Sequence, residues 1–431
     1  MEYELGDIIH GTIDYRGKTP KRFDSGIPVL SAANVKKGKI KIDDKFISKE
    51  YYDKWTTRGF IKPGDILITT EAPVGEIAKV PGDQVYMISR RVFALQVNED
   101  LADETYIYYL LLTEGVLKYF ESISHGATAP RIYKDEVLKL KIDLPELPTQ
   151  KKTASILSAY DDLIENNNQR IKLLEEMAEE IYKEWFVRFR FPGYKEATFL
   201  DKEGNKVAHG SKGAIPEGWE KRPTKDIVDI ISGYAFKTES FEEDGDYGLV
   251  TIKNVQNGFF VTKTTDYIKE LPKNIKDDIF LKDKDILLSL TGNIGRICLV
   301  YGDNYLLNQR VAKLKPKTKD LFEYVYLFFR SDFLRMTLEN YSNGAAQQNL
   351  SPVDTSELKF ITPPDDLLEK FSDITKSFFD EIIILLKKNK ILQDTRDLLL
   401  PRLISGKLSV EDLEVGESLN RAAEPQEKYS K

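Results

Sequence analysis

Sulfur and imidazole are scarce in this chain: 431 residues hold one cysteine and three histidines. A lone thiol can form neither an internal disulfide nor a cysteine-based metal site, so a reducing, cytoplasmic setting is expected. Cys298 lies in the apolar run Ile297-Cys298-Leu299-Val300 and reads as a small buried hydrophobe. His10, His125 and His209 are scattered, and there is neither an H-E-x-x-H pattern nor a carboxylate–histidine cluster. No apolar run approaches the 18 residues of a membrane-spanning helix, and the acidic start Met1-Glu2-Tyr3-Glu4 does not read as a signal peptide. Nucleotide motifs are missing as well. Gly17-Lys18-Thr19 looks like the end of a phosphate loop, but Gly11 is one residue too distant and Pro20 blocks the following helix. Gly292-Asn293-Ile294-Gly295 reads as a turn between strands. Thr362-Pro363-Pro364-Asp365 is only superficially like the Asn-Pro-Pro-Tyr box of an amino-methyltransferase. These absences argue against a catalytic centre, a metal site or a bound cofactor in this chain.

The composition is that of an ordinary globular protein, 41% hydrophobic and 31% charged, with room for two or three domains. The net charge of −7 argues weakly against a polyanionic partner. Its distribution is uneven, however. The last residues are acidic (Glu411, Asp412, Glu414, Glu417, Glu424 and Glu427), whereas Lys36, Lys37, Lys39, Lys41 and Lys45 form a basic stretch.

Most informative is a long internal repeat. The Asn34-Val35-x-x-Gly38 motif recurs as Asn254-Val255-x-x-Gly258, an offset of 220 residues (254 − 34). At the same offset Phe60-Ile61-Lys62-Pro63-Gly64-Asp65-Ile66-Leu67-Ile68 meets Phe280-Leu281-Lys282-Asp283-Lys284-Asp285-Ile286-Leu287-Leu288. Gly75 meets Gly295; with slight drift, Arg91-Val92 meets Arg310-Val311 and Ser124-His125-Gly126-Ala127 meets Ser342-Asn343-Gly344-Ala345. Solenoid and propeller repeats are far shorter, so whole domains have been duplicated.

Each copy begins with short β-like segments (66–70, 77–80 and 92–95, then 286–290 and 297–300) separated by Gly/Pro/Asp turns. A helical stretch follows, at 104–122 and 321–340, and each copy closes on an extended segment ending at Pro145 or Pro363. Two α+β domains are expected. Each is followed by a long stretch with helical periodicity. The first, from Pro148 to about Phe189, places Ile156, Tyr160, Leu163, Ile171, Leu174, Ala178, Ile181 and Trp185 on one seam, with Asn167 in a missing layer. The second, from Asp365 to Leu400, places Phe371, Ile374, Phe378, Ile382, Leu385, Leu392 and Leu399 there, with Asn389 in the gap. Sustained a/d spacing predicts coiled-coil helices of about 55–60 Å, zipped antiparallel with the asparagines fixing register.

The polar residues best suited to contacting nucleic acid lie on loops of both copies. Arg pairs with guanine, and Asn or Gln with adenine, through two hydrogen bonds in the major groove. In the second copy these are Asn293, Arg296, Gln309, Arg310, Gln347, Gln348 and Asn349; in the first, Arg90, Arg91 and Arg131. Lys36, Lys37, Lys39 and Lys253 are better placed for phosphates, and Lys18 is a further candidate DNA contact. Singly, each such residue is more often a solvated loop side chain. As a set, they diverge where the surrounding framework agrees, as one scaffold with two specificities would.

Along nearly its whole length the chain resembles the specificity subunit of type I restriction-modification enzymes. The resemblance is carried by the paired strands and Gly-Ala loops above. It is also carried by Leu147-Pro148-Thr149-Gln150-Lys151-Lys152-Thr153-Ala154-Ser155-Ile156-Leu157, by Glu176-Met177-Ala178-Glu179-Glu180-Ile181-Tyr182-Lys183-Glu184-Trp185-Phe186 and by Arg396-Asp397-Leu398-Leu399-Leu400-Pro401-Arg402-Leu403-Ile404-Ser405-Gly406-Lys407-Leu408. It implies target recognition domains over 1–146 and 215–364, spacer helices over 147–190 and 365–408, a linker over 191–214 and an acidic tail over 409–431. It further implies double-stranded DNA with a bipartite recognition sequence as ligand. The implied partners are two methyltransferase subunits binding S-adenosylmethionine, and restriction subunits using ATP and Mg²⁺. Absent the resemblance, the duplicated domains also fit a coiled-coil scaffold that binds protein or carbohydrate.

Overall fold

The computed structural model describes all residues except 16–19, 44, 83, 344–348 and 412–431. Lys18, Gln347, Gln348 and most of the acidic tail lie outside the described residues. Two compact units form: one comprises Met1–Ile164 with the chain from Leu392, the other Glu165–Ile391. Both boundaries fall within long helices, so each unit holds a piece of both.

The first unit is organised on an antiparallel sheet of Ile9–Asp14, Val92–Val97, Ile66–Thr69 and Ile77–Lys79, in that order. Side chains alternate across a strand. Ile66, Ile68, Phe93 and Leu95 therefore enter a core shared with Tyr106, Ile107 and Phe120, while Leu67, Val92 and Ala94 enter another with Leu30 and Val35. A smaller sheet runs Phe46–Ile47, Ile27–Leu30, Met87–Ile88, and its last pair is parallel. The second unit repeats this order. Its main sheet is Val228–Ser232, Val311–Pro316, Ile286–Ser289, Ile297–Leu299, and its second contains the parallel pair Tyr247–Val250 and Tyr305–Leu307. The chain is thus mixed α and β, with the duplication visible in sheet order.

The single helical stretch expected in each copy is two helices. Glu104–Leu111 and Glu114–Ser122 are divided at Thr113; Phe322–Arg330 and Asp332–Asn343 are divided at Ser331. Thr113 (ψ 148°) and Ser331 (ψ 142°) are extended, and their hydroxyls donate to the carbonyls of Leu110 and Phe328. A hydroxyl followed by an acidic residue is a helix-start signal, which here outweighs the apolar continuity.

The first long helix is Leu147–Tyr182, continued by a wider turn over Lys183–Val187; the second is Asp365–Ile404. The second runs past Leu400 through Pro401 and stops at Gly406, whose φ of +69° is the left-handed conformation glycine supplies at helix ends. The seam is broader than expected. Leu163 and Ile374 are exposed, at 47% and 44%, while the adjacent Ile164 and Thr375 are buried. A 3.6-residue turn drifts from a strict heptad, and these helices also pack on domain cores: Phe371, Phe379, Ile382 and Ile383 all enter that of the second unit. The asparagine layer forms. Asn167 Nδ2 donates to Asn389 Oδ1 at 2.8 Å, and Asn389 Nδ2 donates to Asn168 Oδ1 at 2.9 Å. In the same unit Arg170 bonds Glu381 at 2.9 Å, so numbering falls along one helix as it rises along the other. Two strands within the stretch read as linker, Lys206–Val207 and Phe199–Leu200, form a small sheet with Ile215–Pro216, the first residues assigned to the second domain. Among the described residues no helix is long and apolar enough to cross a membrane.

Candidate nucleic-acid interface

The shared Asn-Val-x-x-Gly motif builds a hairpin. Asn34 is buried; its Oδ1 accepts from the Ser31 amide at 2.8 Å and its Nδ2 donates to the Lys41 carbonyl at 2.7 Å. Asn254 repeats both bonds, from the Thr251 amide at 3.0 Å and to the Val261 carbonyl at 2.9 Å. Lys37 (φ +47°) and Gly38 (φ +80°) make a tight turn of two left-handed residues. A Cβ on Gly38 would lie 2.7 Å from Tyr108 Oη, so glycine is required by contact as well as by φ. The Gly38 amide donates to the Ile77 carbonyl at 3.0 Å, and the Gly258 amide to the Ile297 carbonyl at 2.7 Å. Each hairpin is thereby fixed beside the turn joining two strands of its main sheet.

That turn is the hub of the site. In the first copy the Thr69 hydroxyl accepts from the Glu76 amide; in the second, Ser289 Oγ accepts from the Arg296 amide at 3.0 Å. The Thr70 amide donates to the Arg91 carbonyl and the Leu290 amide to the Arg310 carbonyl, both at 2.9 Å. The Ile132 amide donates to the Thr70 carbonyl and the Leu350 amide to the Leu290 carbonyl, at 2.9 and 2.8 Å. In each unit three segments therefore meet: the strand-connecting turn, the arginine before the next strand, and the loop after the domain's helices. Arg91 and Arg310 both adopt left-handed backbone, at φ +76° and +73°. This geometry is costly for a non-glycine residue, and it is held in both copies by the same bonds.

On this shared platform the side chains differ. Lys36, Lys37, Lys39 and Arg90 are exposed, with no ion pair to a described residue. Arg91 pairs with Glu71, and Arg131, bridged to Glu71 through backbone, lies over the Tyr133 ring at 5.6 Å. In the second unit Arg310 and Gln309 are exposed, and Arg310 has no ionic partner among the described residues. Asn349 is bridged to Thr291, matching the Arg131–Glu71 bridge. Arg296 Nη1 donates to Gln256 Oε1 at 2.5 Å, and the Asn293 amide, with its oxygen turned toward it, accepts from Nη2 at 3.0 Å. Lys253 is exposed on the turn before its hairpin. Sequence reading had not singled out Gln256, Glu71, Glu76 or Tyr133. The repeat offset could have found the first, since Gln256 matches Lys36. Glu71 emerges only through its pairing. Among the described residues no group of His, Cys, Asp or Glu is arranged to hold a metal ion.

The molecule is a duplicated α+β protein in which one loop platform, built twice by the same backbone bonds, carries two sets of polar side chains. The family described as type I restriction modification DNA specificity domain matches residues 1–176 and 216–393, and the chain belongs to that family. It is 29% identical over 423 residues to the type I restriction enzyme MjaIX specificity subunit of Methanocaldococcus jannaschii, covering 95% of this chain and 93% of that one. It is 25% identical to the HindI specificity subunit of Haemophilus influenzae, covering 94% and 99%. Its fold is similar to the crystal structure of the type I restriction-modification S subunit from M. genitalium, with a TM-score of 0.56, 15% identity and coverage of 94% and 95%.

Proposed function

We propose that this chain is the sequence-specific DNA-binding, non-catalytic subunit of a type I restriction-modification complex. In this reading the domains over 1–146 and 215–364 each read one half of a bipartite site in double-stranded DNA. The helices over 147–190 and 365–408 serve as an antiparallel coiled-coil spacer and dock two methyltransferase subunits. Residues 191–214 link the copies, and 409–431 form an acidic tail. S-adenosylmethionine would be held by the methyltransferases, ATP and Mg²⁺ by restriction subunits, and the complex would act in the cytoplasm. The partners would also supply much of the phosphate attraction that a chain of net charge −7 does not.

The observation that carries this reading is the twice-built platform. Identical backbone bonds hold the turn, the arginine and the loop in both units, while the exposed side chains are mostly donors and acceptors able to meet base edges. A scaffold fixed by backbone and diversified by side chain is what reading two different short sequences requires. Methylation-sensitive sequencing of a genome carrying the system tests it. A motif of two short defined sequences separated by unspecified bases, with a methylated adenine in each part, is expected. A single uninterrupted motif, or a methylome unchanged when this gene is deleted, would overturn the reading.

A further inference from the structure

The two platforms differ in chemistry as well as in detail. In the first copy the platform segments, residues 36–39, 70–76, 89–91 and 124–131, contain no asparagine or glutamine. They carry Lys36, Lys37, Lys39, Arg90, Arg91 and Arg131 against Glu71 and Glu76. The matching segments of the second copy carry two arginines, Arg296 and Arg310, and several carboxamides: Asn257, Gln309 and Asn349, with Gln256 and Asn293 spent on Arg296. The replacements fall at corresponding places. Arg131, bridged to Glu71, corresponds to Asn349, bridged to Thr291; Arg90 precedes Arg91 as Gln309 precedes Arg310. The shared arginine does not reverse the balance: among the described residues Arg90 and Arg131 have no ionic partner in the first unit, Arg131 lying over the Tyr133 ring, against Arg310 alone in the second. Arg296 is engaged by Gln256 and Asn293.

We propose that the first domain reads a half-site richer in G·C pairs and the second a half-site richer in A·T pairs. The physical basis is the donor and acceptor pattern of the major groove. A guanidinium carries parallel donors and no acceptor, which matches the two acceptors of guanine, O6 and N7. A carboxamide carries one donor and one acceptor, which matches adenine N7 and N6. The lysines of the first hairpin neutralise phosphate and carry no sequence information. The inference rests on the reading of the chain as a DNA-specificity subunit and adds the base class taken by each half.

The test uses the full chain assembled with its methyltransferase. Exchanging residues 1–145 for a relative's domain identifies which half of the methylated motif belongs to the first domain. In the unmodified protein that half should contain the larger share of G·C pairs. Asn349→Arg should shift one position of the second half from adenine toward guanine by on the order of tenfold, and Arg131→Asn should do the reverse in the first. A second half with as many G·C pairs as the first overturns the proposal, as do both variants methylating with unchanged preference. A genome with no two-part motif removes the underlying reading, and this proposal with it.

Discussion

Arg91 and Arg310 occupy the same place in the two copies, yet their surroundings give them different work. Arg91 is paired with Glu71 at the surface, where such a pair contributes about 0–1 kcal/mol. Arg310 has no such partner among the described residues, which in the proposed reading leaves its guanidinium available to a base. Both residues are left-handed, and alanine at either place would bear similar backbone strain, so Arg→Ala isolates the side chain. Arg310→Ala should leave the melting temperature nearly unchanged and relax preference at one base position by about 1–3 kcal/mol. A large fall in melting temperature with intact preference would make Arg310 a fold residue. Single removal of Lys36, Lys37, Lys39 or Lys253 should instead weaken binding to all sequences alike and lower the salt slope by about 1, measured by titration at several ionic strengths. Cys298 is fully buried on the strand Ile297–Leu299, at the end of its sheet, and burial pushes its thiol well above the usual range. The folded protein should therefore not react with a thiol reagent at pH 8, and denaturant should expose one reactive group; fast labelling of the native state would contradict this.

In the proposed reading the long helices are the elements whose length carries meaning. Inserting seven residues after Asn167 and seven at the matching layer near Asn389 keeps the apolar faces in phase and lengthens each helix by about 10 Å. The unspecified spacer of the methylated motif should grow by roughly 3 base pairs with the bases of each half unaltered. An unchanged spacer in an active complex would sink the role of these helices as a ruler. The Asn167–Asn389 pairing is legible in the sequence as a gap in each heptad, because a polar residue on an apolar seam has few partners except another polar residue, whereas Asn168 joins the layer only in the folded chain. Leu163 and Ile374 were misplaced on that seam because the pattern does not reveal that each helix is buried against a domain core as well.

At the scale of the whole chain, the duplication makes each half of the specificity separable. Replacing residues 1–145 with the corresponding domain of a relative should change one half of the methylated motif and leave the other intact, since each platform is completed within its own unit. If both halves changed, or methylation vanished while the complex still assembled, the two domains would not be reading independently. The acidic balance belongs to this scale too. The chain as a whole is anionic, but its first platform is basic, so the field over that platform differs from that of the average.

What the sequence by itself determined is whatever periodicity and repetition encode. The α+β class, the strands at 66–70 and 286–290, the two long helices and their asparagine layer follow from short-range pattern, and the duplication follows from comparing the chain with itself. The helix breaks at Thr113 and Ser331 were also written locally but were masked by the apolar residues on either side. Only the tertiary structure decided which polar residues act together. Glu71 meets Arg91, Asn349 sits opposite Thr291, and Arg296 is held by Gln256. These partners are distant in sequence and meet through the hydrogen bonds of three separate segments, a geometry no spacing rule contains. The same residue type at matching positions can thus be ion-paired in one copy and, among the described residues, unpaired in the other, because pairing depends on what the folded chain brings within reach.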